Sequence, residues 1–570
     1  MRRETRFWWL VALLIGAAAV LAFSSMGDTQ AEEPLPPVIT GLVIDGQDQP
    51  VEAATVTLHA TGSEEILSET ETQADGRFAL LVPENPPDNL VIRFDRPHFA
   101  ETDIAISPQA AQDLQAGESL VLADMVLSRE TSPAFWIATA IFVVMLILIA
   151  TGVLHNTLAA LLGASLVFLV SYLGTPLTES LYIFGFDRAL DYVDWNVIFL
   201  IMGMMIVIAV IERTGIFQWL AFAAYRLSRG RLWVLLPILM AVTGVASAFL
   251  DNVTTMLLMT PITIQIALAM GVNPLALLLP EVLASNVVGI STLIGTPTNI
   301  LIGSYAGISF NDFLINQTPG VVAALIGLVF YSWFIYRRDL RSKGETGMST
   351  VLLEKLEERA QITEPAHLKK AGWVGLGMLV LFVLGEQIHL LPAVTAIIGA
   401  TALLVWIRPD IEEMIEAVDW TTLVFFISLF IVVGAIQEVG LISLIADMIG
   451  SLVGENLIAA MLVVTWFSAI LSMVVANIPF TAAMLPVVGY LTATIPGAES
   501  LVLFYCLSVG SAMGGNGSLI GASANMVTAG ISERSGHPIS YVYFFKKGFP
   551  ALLITVALAT VWLLIRFLVL

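Results

Sequence analysis

Phe249-Leu250-Asp251-Asn252-Val253-Thr254-Thr255, followed by Pro261, has a counterpart in Ala476-Asn477-Ile478-Pro479-Phe480-Thr481, followed by Pro486. The two Asn residues lie 225 positions apart, as do the two Pro residues. Upstream, Val193-Asp194-Trp195 recurs at the same distance as Val418-Asp419-Trp420. Downstream, Leu293-Ile294-Gly295-Thr296-Pro297-Thr298-Asn299 recurs 226 positions on as Leu519-Ile520-Gly521-Ala522-Ser523-Ala524-Asn525. Each copy sets an Asn between two apolar arms and then interrupts a further apolar stretch with small and polar residues. Broken apolar segments in matching positions of two halves mark a membrane chain whose polar site lies at the junction of the halves.

Composition agrees. Of 570 residues, 57% are hydrophobic and 12% charged, against about 25% charged in ordinary soluble domains. From about residue 134 onward the apolar stretches approach the ~20 residues needed to cross a bilayer. The net charge of −21 is concentrated between about 32 and 130, which reads as a solvated acidic face and argues against a nucleic-acid surface. The single Cys506 excludes an intrachain disulfide and a CxxC metal site. There is no HExxH and no GxSxG, and the Cys has no nearby His, so an enzyme is not expected. Residues 1–33 hold an Arg-bearing start and an apolar run from Phe7 to Phe23. They read either as a signal peptide cleaved near Thr29-Gln30-Ala31 or as a retained anchor helix. Both readings place the next segment of the chain outside the cytoplasm.

Between 38 and 127 the pattern changes. Short alternating runs such as Arg77-Phe78-Ala79-Leu80-Leu81-Val82, bounded by Asp45-Gly46, Asp75-Gly76 and Pro86-Pro87, predict a small extracytoplasmic β-sandwich. Gly41-Leu42-Val43-Ile44-Asp45, Pro50-Val51-Glu52-Ala53-Ala54-Thr55-Val56 and Thr72-Gln73-Ala74-Asp75-Gly76-Arg77-Phe78 together resemble a carboxypeptidase regulatory-like domain, which implies an accessory role.

The remainder is expected to be an all-α polytopic membrane protein of two inverted repeats, 134–337 and 371–570, joined by a cytoplasmic linker, 338–370. Predicted crossings fall near 135–152, 155–174 and 196–212, and near 372–389, 393–407 and 421–438. Re-entrant hairpins come next at 232–250 with 253–270 and at 457–475 with 480–495. Interrupted helices at about 276–305 and 500–531 and final crossings at 320–336 and 550–568 complete each half. Five crossings per half is an odd count, which inverts the second half. Charge supports this: Arg337, Arg338, Arg341, Lys343, Lys355, Arg359, Lys369 and Lys370 mark the linker as cytoplasmic. Arg226, Arg229 and Arg231 precede hairpin one, whereas 441–456 before hairpin two has Asp447 and Glu455 and no Lys or Arg.

Backbone interrupted inside hydrocarbon persists only where protein, water or an ion satisfies it. Gly289 to Asn299 and Gly514 to Asn525 are such stretches, rich in small, hydroxyl and amide residues that can replace an ion's hydration shell, and freed helix N-termini suit an anion. The bland alternative is close helix packing. The candidate substrate or ion ligands are Asn252, Thr254, Thr255, Ser291, Thr292, Thr296, Asn299, Asn477, Thr481, Asn516, Ser518, Ser523 and Asn525. Asp251 and Glu281 are candidates for exchanging a proton or holding a cation, with a paired structural carboxylate as the alternative. Glu212, Arg213, Glu438, His155 and His389 fall at helix ends and mark the interface.

The run Glu281 to Ile300, with Gly307-Ile308-Ser309-Phe310-Asn311-Asp312-Phe313, resembles the P-protein/arsenite-permease/sodium–proton antiporter group of the ion transporter superfamily, alongside citrate and dicarboxylate carriers. Asn477-Ile478-Pro479-Phe480-Thr481-Ala482 and Gly515 to Asn525 match the same group. The resemblance implies an elevator-type secondary transporter in a cell (inner or plasma) membrane, often a homodimer, coupled to Na+ or H+ and carrying no other cofactor. It implies that Asn252, Thr254 and Thr255 face Ser291, Thr292 and Asn299, and that Asn477 and Thr481 face Asn516, Ser518 and Asn525. Two carboxylates of the family pattern are missing: Ala476 precedes the second hairpin Asn, and Thr296 stands in Gly295-Thr296-Pro297-Thr298-Asn299. A less negative site favours a small anion, oxyanion or carboxylate as substrate. A sodium–proton antiporter is the alternative within transport, and a ligand-sensing membrane receptor the alternative outside it.

Overall fold

The computed structural model describes residues 36–46, 50–83, 86–87, 89–341 and 361–570. The signal or anchor segment 1–33 and residues 342–360 of the linker lie outside them. The chain divides into one unit ending at Glu130 and another beginning at Thr131.

The first unit holds strands β1 (Val38–Asp45), β2 (Thr55–Ala60), β3 (Ile66–Glu71), β4 (Arg77–Leu81), β5 (Leu90–Asp95) and β6 (Thr102–Ala105), helix α1 (Pro108–Gln115), and strands β7 (Leu120–Val121) and β8 (Met125–Leu127). In one small sheet β1 pairs antiparallel with β4 and parallel with β7 and β8; in the other the order is β3-β2-β5-β6, all antiparallel. Period-two alternation decides the faces: Phe78 and Leu80 of β4 point inward while Arg77, Ala79 and Leu81 point out. The inward residues of both sheets and Leu114 of α1 form one buried apolar cluster.

The second unit is helical. Its first series is α2 (Pro133–Thr151), α3 (Asn156–Leu169, extended by a wider turn to Gly174), α4 (Phe186–Asp191), α5 (Trp195–Glu212), α6 (Ile216–Ser228), α7 (Leu232–Phe249), α8 (Asn252–Ala269), α9 (Leu275–Val288), α10 (Pro297–Ala306) and α11 (Phe310–Ile335). After the short α12 (Arg337–Arg341) the second series runs α13 (Pro365–Leu384), α14 (Pro392–Ile407), α15 (Ile411–Glu416), α16 (Trp420–Glu438), α17 (Leu441–Val453), α18 (Leu457–Ser472), α19 (Asn477–Thr494), α20 (Val502–Gly514), α21 (Ser523–Arg534) and α22 (Tyr541–Leu568). Among the described residues, nine helices are long and apolar enough to cross a bilayer. Their outer faces carry large apolar side chains such as Trp136, Phe330 and Phe334 in the open. Water would penalise that area at about 25 cal/mol per Å2, whereas hydrocarbon does not.

The recurring Val-Asp-Trp motif proves to be a helix start. Asp194 Oδ1 accepts from Asn196 N (3.0 Å) and Val197 N (3.2 Å) at the head of α5, and Asp419 Oδ1 accepts from Thr422 N (3.1 Å) at the head of α16.

Three features depart from the sequence reading. The last helix of each series begins at Phe310 and Tyr541, about ten residues before the predicted 320 and 550. Ser309 and Asp312 form a capping box that starts α11, and the polar Asn316 is held inside by Tyr505 Oη (3.0 Å), so the helix runs through residues that look like loop. Second, 213–231 and 441–456, which hydropathy leaves without an element, contain the amphipathic α6 and α17, each preceded by a left-handed glycine, Gly215 and Gly440. Third, the series interlock: α5 packs on α14, α3 on α16, and α11 on α22.

Candidate ion-binding site

At the first tip, α7 ends at Phe249 and the chain breaks at Leu250 and Asp251 before α8. Asp251 is the N-cap: Oδ1 accepts from Val253 N (2.8 Å) and Thr254 N (3.0 Å), and Oδ2 accepts from the Thr254 hydroxyl. The carboxylate is thus engaged in holding the helix start. At the second tip Ala476 offers no such cap, and the N-terminus of α19 has no side-chain partner at that position.

The interruptions are built alike. Gly289–Ser291 and Gly515–Gly517 are single tight turns after α9 and α20. Thr292 Oγ1 then donates to the Ala248 carbonyl and accepts from Gly295 N (3.1 Å). Ser518 Oγ does the same with the Met473 carbonyl and Gly521 N (3.1 Å). The close approach demands glycine: a Cβ at Gly295 would lie 2.2 Å from the Gly289 carbonyl oxygen, and one at Gly521 would lie 3.0 Å from that of Gly515. Asn299 Nδ2 donates to the Ile290 (2.9 Å) and Thr292 (2.8 Å) carbonyls, and Asn525 Nδ2 to those of Gly515 (2.8 Å) and Ser518 (2.9 Å). These amides satisfy the unwound backbone, as a buried break requires.

The remaining candidates fall around this frame. Ser291 Oγ donates to the Val288 carbonyl (2.7 Å), and Thr296 Oγ1 shares a hydrogen with Thr298 Oγ1 (2.9 Å) and accepts from Asn299 N (3.3 Å). Thr481 Oγ1 donates to the Asn477 carbonyl (2.7 Å). The Thr255 hydroxyl is buried without a partner among the described residues. Ser523 opens α21, half-buried. The Asn477 side chain is 5% exposed and has no hydrogen-bond partner among the described residues.

Each interruption touches the end of the first arm of its own half, Thr292 at Ala248 and Ser518 at Met473, while the second arms cross between halves. The α8 arm lies along α21 and the α19 arm along α10, and the Tyr305 ring of α10 covers Gly489 of α19. Asn286, which the repeat does not reveal, joins the two series. It accepts from Asn252 Nδ2 (2.8 Å) and donates to Asn516 Oδ1 (3.0 Å) and Asn525 Oδ1 (3.0 Å). Ser508, equally hidden, donates to Asn299 Oδ1 at 2.6 Å and so ties α20 to the first interruption. Neither belongs to a matched motif, since Ala512 stands opposite Asn286 and Val282 opposite Ser508; only their position within apolar helices could have flagged them. A cavity of about 320 Å3 flanks the first interruption, lined by Leu293, Ile300 and Ser304 on one side and Asn196, Glu386 and His389 on the other.

The unit is a polytopic helical body with two tips and two interrupted helices joined by buried amides, and its family and relatives make it a membrane transporter, not an enzyme. The citrate transporter family pattern matches residues 143–503, and the chain belongs to that family. An uncharacterized transporter of Mycobacterium tuberculosis is 36% identical over 436 residues, covering 76% of this chain and 99% of its own length. A 46 kDa membrane protein of Mycobacterium leprae is 35% identical over 434 residues, with 76% and 99% covered. The human P protein is 32% identical over 539 residues, covering 81% of this chain and 63% of its own.

Proposed function

We propose that this protein is an ion-coupled secondary carrier for a small anion or oxyanion, with carboxylates such as citrate foremost, working by an elevator-type mechanism. The observation that carries the reading is the amide network centred on Asn286, which links a tip of one series to the interruption of the other. Such a junction can be exposed to either side if one body of helices moves against the rest. The anion preference rests on the second series. Ala476 and Ala522 leave α19 and α21 without side-chain caps, so their N–H groups and partial positive charge are free for a ligand, and the Asn477 amide is unengaged among the described residues. The family description, citrate transporter, agrees.

In this reading the series are inverted repeats with re-entrant hairpins, the linker faces the cytoplasm, and 38–127 is an extracytoplasmic β-sandwich. The membrane is the inner or plasma membrane, the carrier is a homodimer, and the coupling ion is Na+ or H+. The test is purified protein in proteoliposomes on a solid-supported membrane, challenged with citrate, arsenate and arsenite, with and without Na+ and a pH gradient. A saturable current with at least one anion is expected; no current with any of them overturns the reading. The buried Glu281 favours a second reading, sodium–proton antiport, whose signature is proton movement driven by a Na+ gradient without any anion.

A further inference from the structure

Glu281 lies midway along α9, fully buried. Its Oε1 accepts from Thr243 Oγ1 of α7 at 2.6 Å. Its Oε2 has no hydrogen-bond partner among the described residues, and neither does the Thr263 hydroxyl of the neighbouring α8. Along their lengths α7 and α8 carry no ionisable side chain. The other helices against α9 carry Asp312 and Tyr331 on α11, Tyr505 and Cys506 on α20, and Glu533 and Arg534 on α21; on α22 they are Tyr541, Tyr543, Lys546, Lys547 and Arg566. None of these side chains makes a hydrogen bond or ion pair with Glu281 among the described residues.

The second series serves as an internal control. Ser468, Val488 and Leu507 stand where Thr243, Thr263 and Glu281 stand in the first, and α18 packs on α20 as α7 packs on α9. The helix packing therefore needs no acid. An ionised carboxylate with a bare oxygen in such a place is costly enough that such groups take up a proton instead. With a proton on Oε2 the group is neutral, and the charge that burial penalises is gone.

We propose that Glu281 is the proton-carrying group of the carrier. It holds its proton on Oε2 in the arrangement seen here. It releases that proton to water, leaving the carboxylate, only when α7 and α8 part from α9. The transport side of this inference rests on the carrier reading; the protonation side does not.

The experiment has two arms. Infrared spectra of the purified full chain across pH, wild type against Glu281→Gln, are expected to show the carbonyl band of a neutral carboxyl at pH 7 that the variant lacks. Absence of that band in the wild type overturns the proposal, whether or not the protein transports anything. If Glu281→Gln fails to fold, Thr243→Val is the substitute: by removing the hydroxyl that donates to Oε1 it should shift the band, and an unmoved band overturns the assignment to Glu281. In proteoliposomes, Glu281→Gln is expected to reduce citrate accumulation driven by a proton gradient at least tenfold. Unchanged gradient response in the folded variant overturns the proposal. So does Na+ raising the melting temperature of the wild type but not of Glu281→Gln, which would assign the site to a cation.

Discussion

The two tips are built on one plan and finished differently. The first has Asp251 capping its second arm, a threonine cap at the interruption, and a buried acid behind; the second has Ala476, Ala522 and Leu507 in those places. The hydroxyl that clamps each interruption is nevertheless kept, as Thr292 and Ser518, and so is the amide that satisfies it, as Asn299 and Asn525. What is shared is what the broken backbone requires to survive away from water. What differs is charge. The comparison therefore separates residues that keep the breaks stable from residues free to set what is bound: Asn299 and Asn525 fall in the first group, and Asn477 in the second.

The sharpest way to break this division is at the glycines. Gly295→Ala is expected to cost about 3 kcal/mol, whereas the looser Gly521→Ala should cost about 1; thermal melting in detergent compares them, and equal losses would remove the asymmetry of fit. Next comes Asn286→Ala, which leaves buried amides of Asn252, Asn516 and Asn525 short of partners and should cost about 2 kcal/mol. It should also abolish citrate currents, and a fully stable, fully active variant would refute the bridging role. Asp251→Ala should cost about 1 kcal/mol through the lost cap, while Asp251→Asn, itself a good cap, should melt like wild type and keep its pH response. A lost pH response in Asp251→Asn would move the coupling acid from Glu281 to Asp251. The smallest structural effect is expected at Asn477→Ala, within about 0.5 kcal/mol of wild type, yet with transport reduced at least tenfold. Normal transport there would take the second tip out of the site.

Much of this architecture is legible in the primary structure because lipid imposes long apolar runs and makes every interruption conspicuous. The arms and both interruptions follow from residue type and spacing. The ten-residue extension of α11 does not, because Asn316 reads as loop until Tyr505 and Arg566 are seen to hold it, and that of α22 starts from the Ser540 cap. The amphipathic α6 and α17 escape because one polar face dilutes a hydropathy run. An offset of 225, or 226 beyond the tips, shows which residues are equivalent but not which are adjacent, so the crossing of α8 to α21 and of α19 to α10 is out of its reach. Asn286 is hidden by the same logic: matched pairs pass over a residue whose counterpart is Ala512.

That crossing bears on how such a chain can arise. Because the second arm of each tip rests on a helix supplied by the other half, a polypeptide of half the length would present two unfinished surfaces. It could complete itself only by associating with a twin, so fusion of two copies would preserve a partnership already required of the separate pieces.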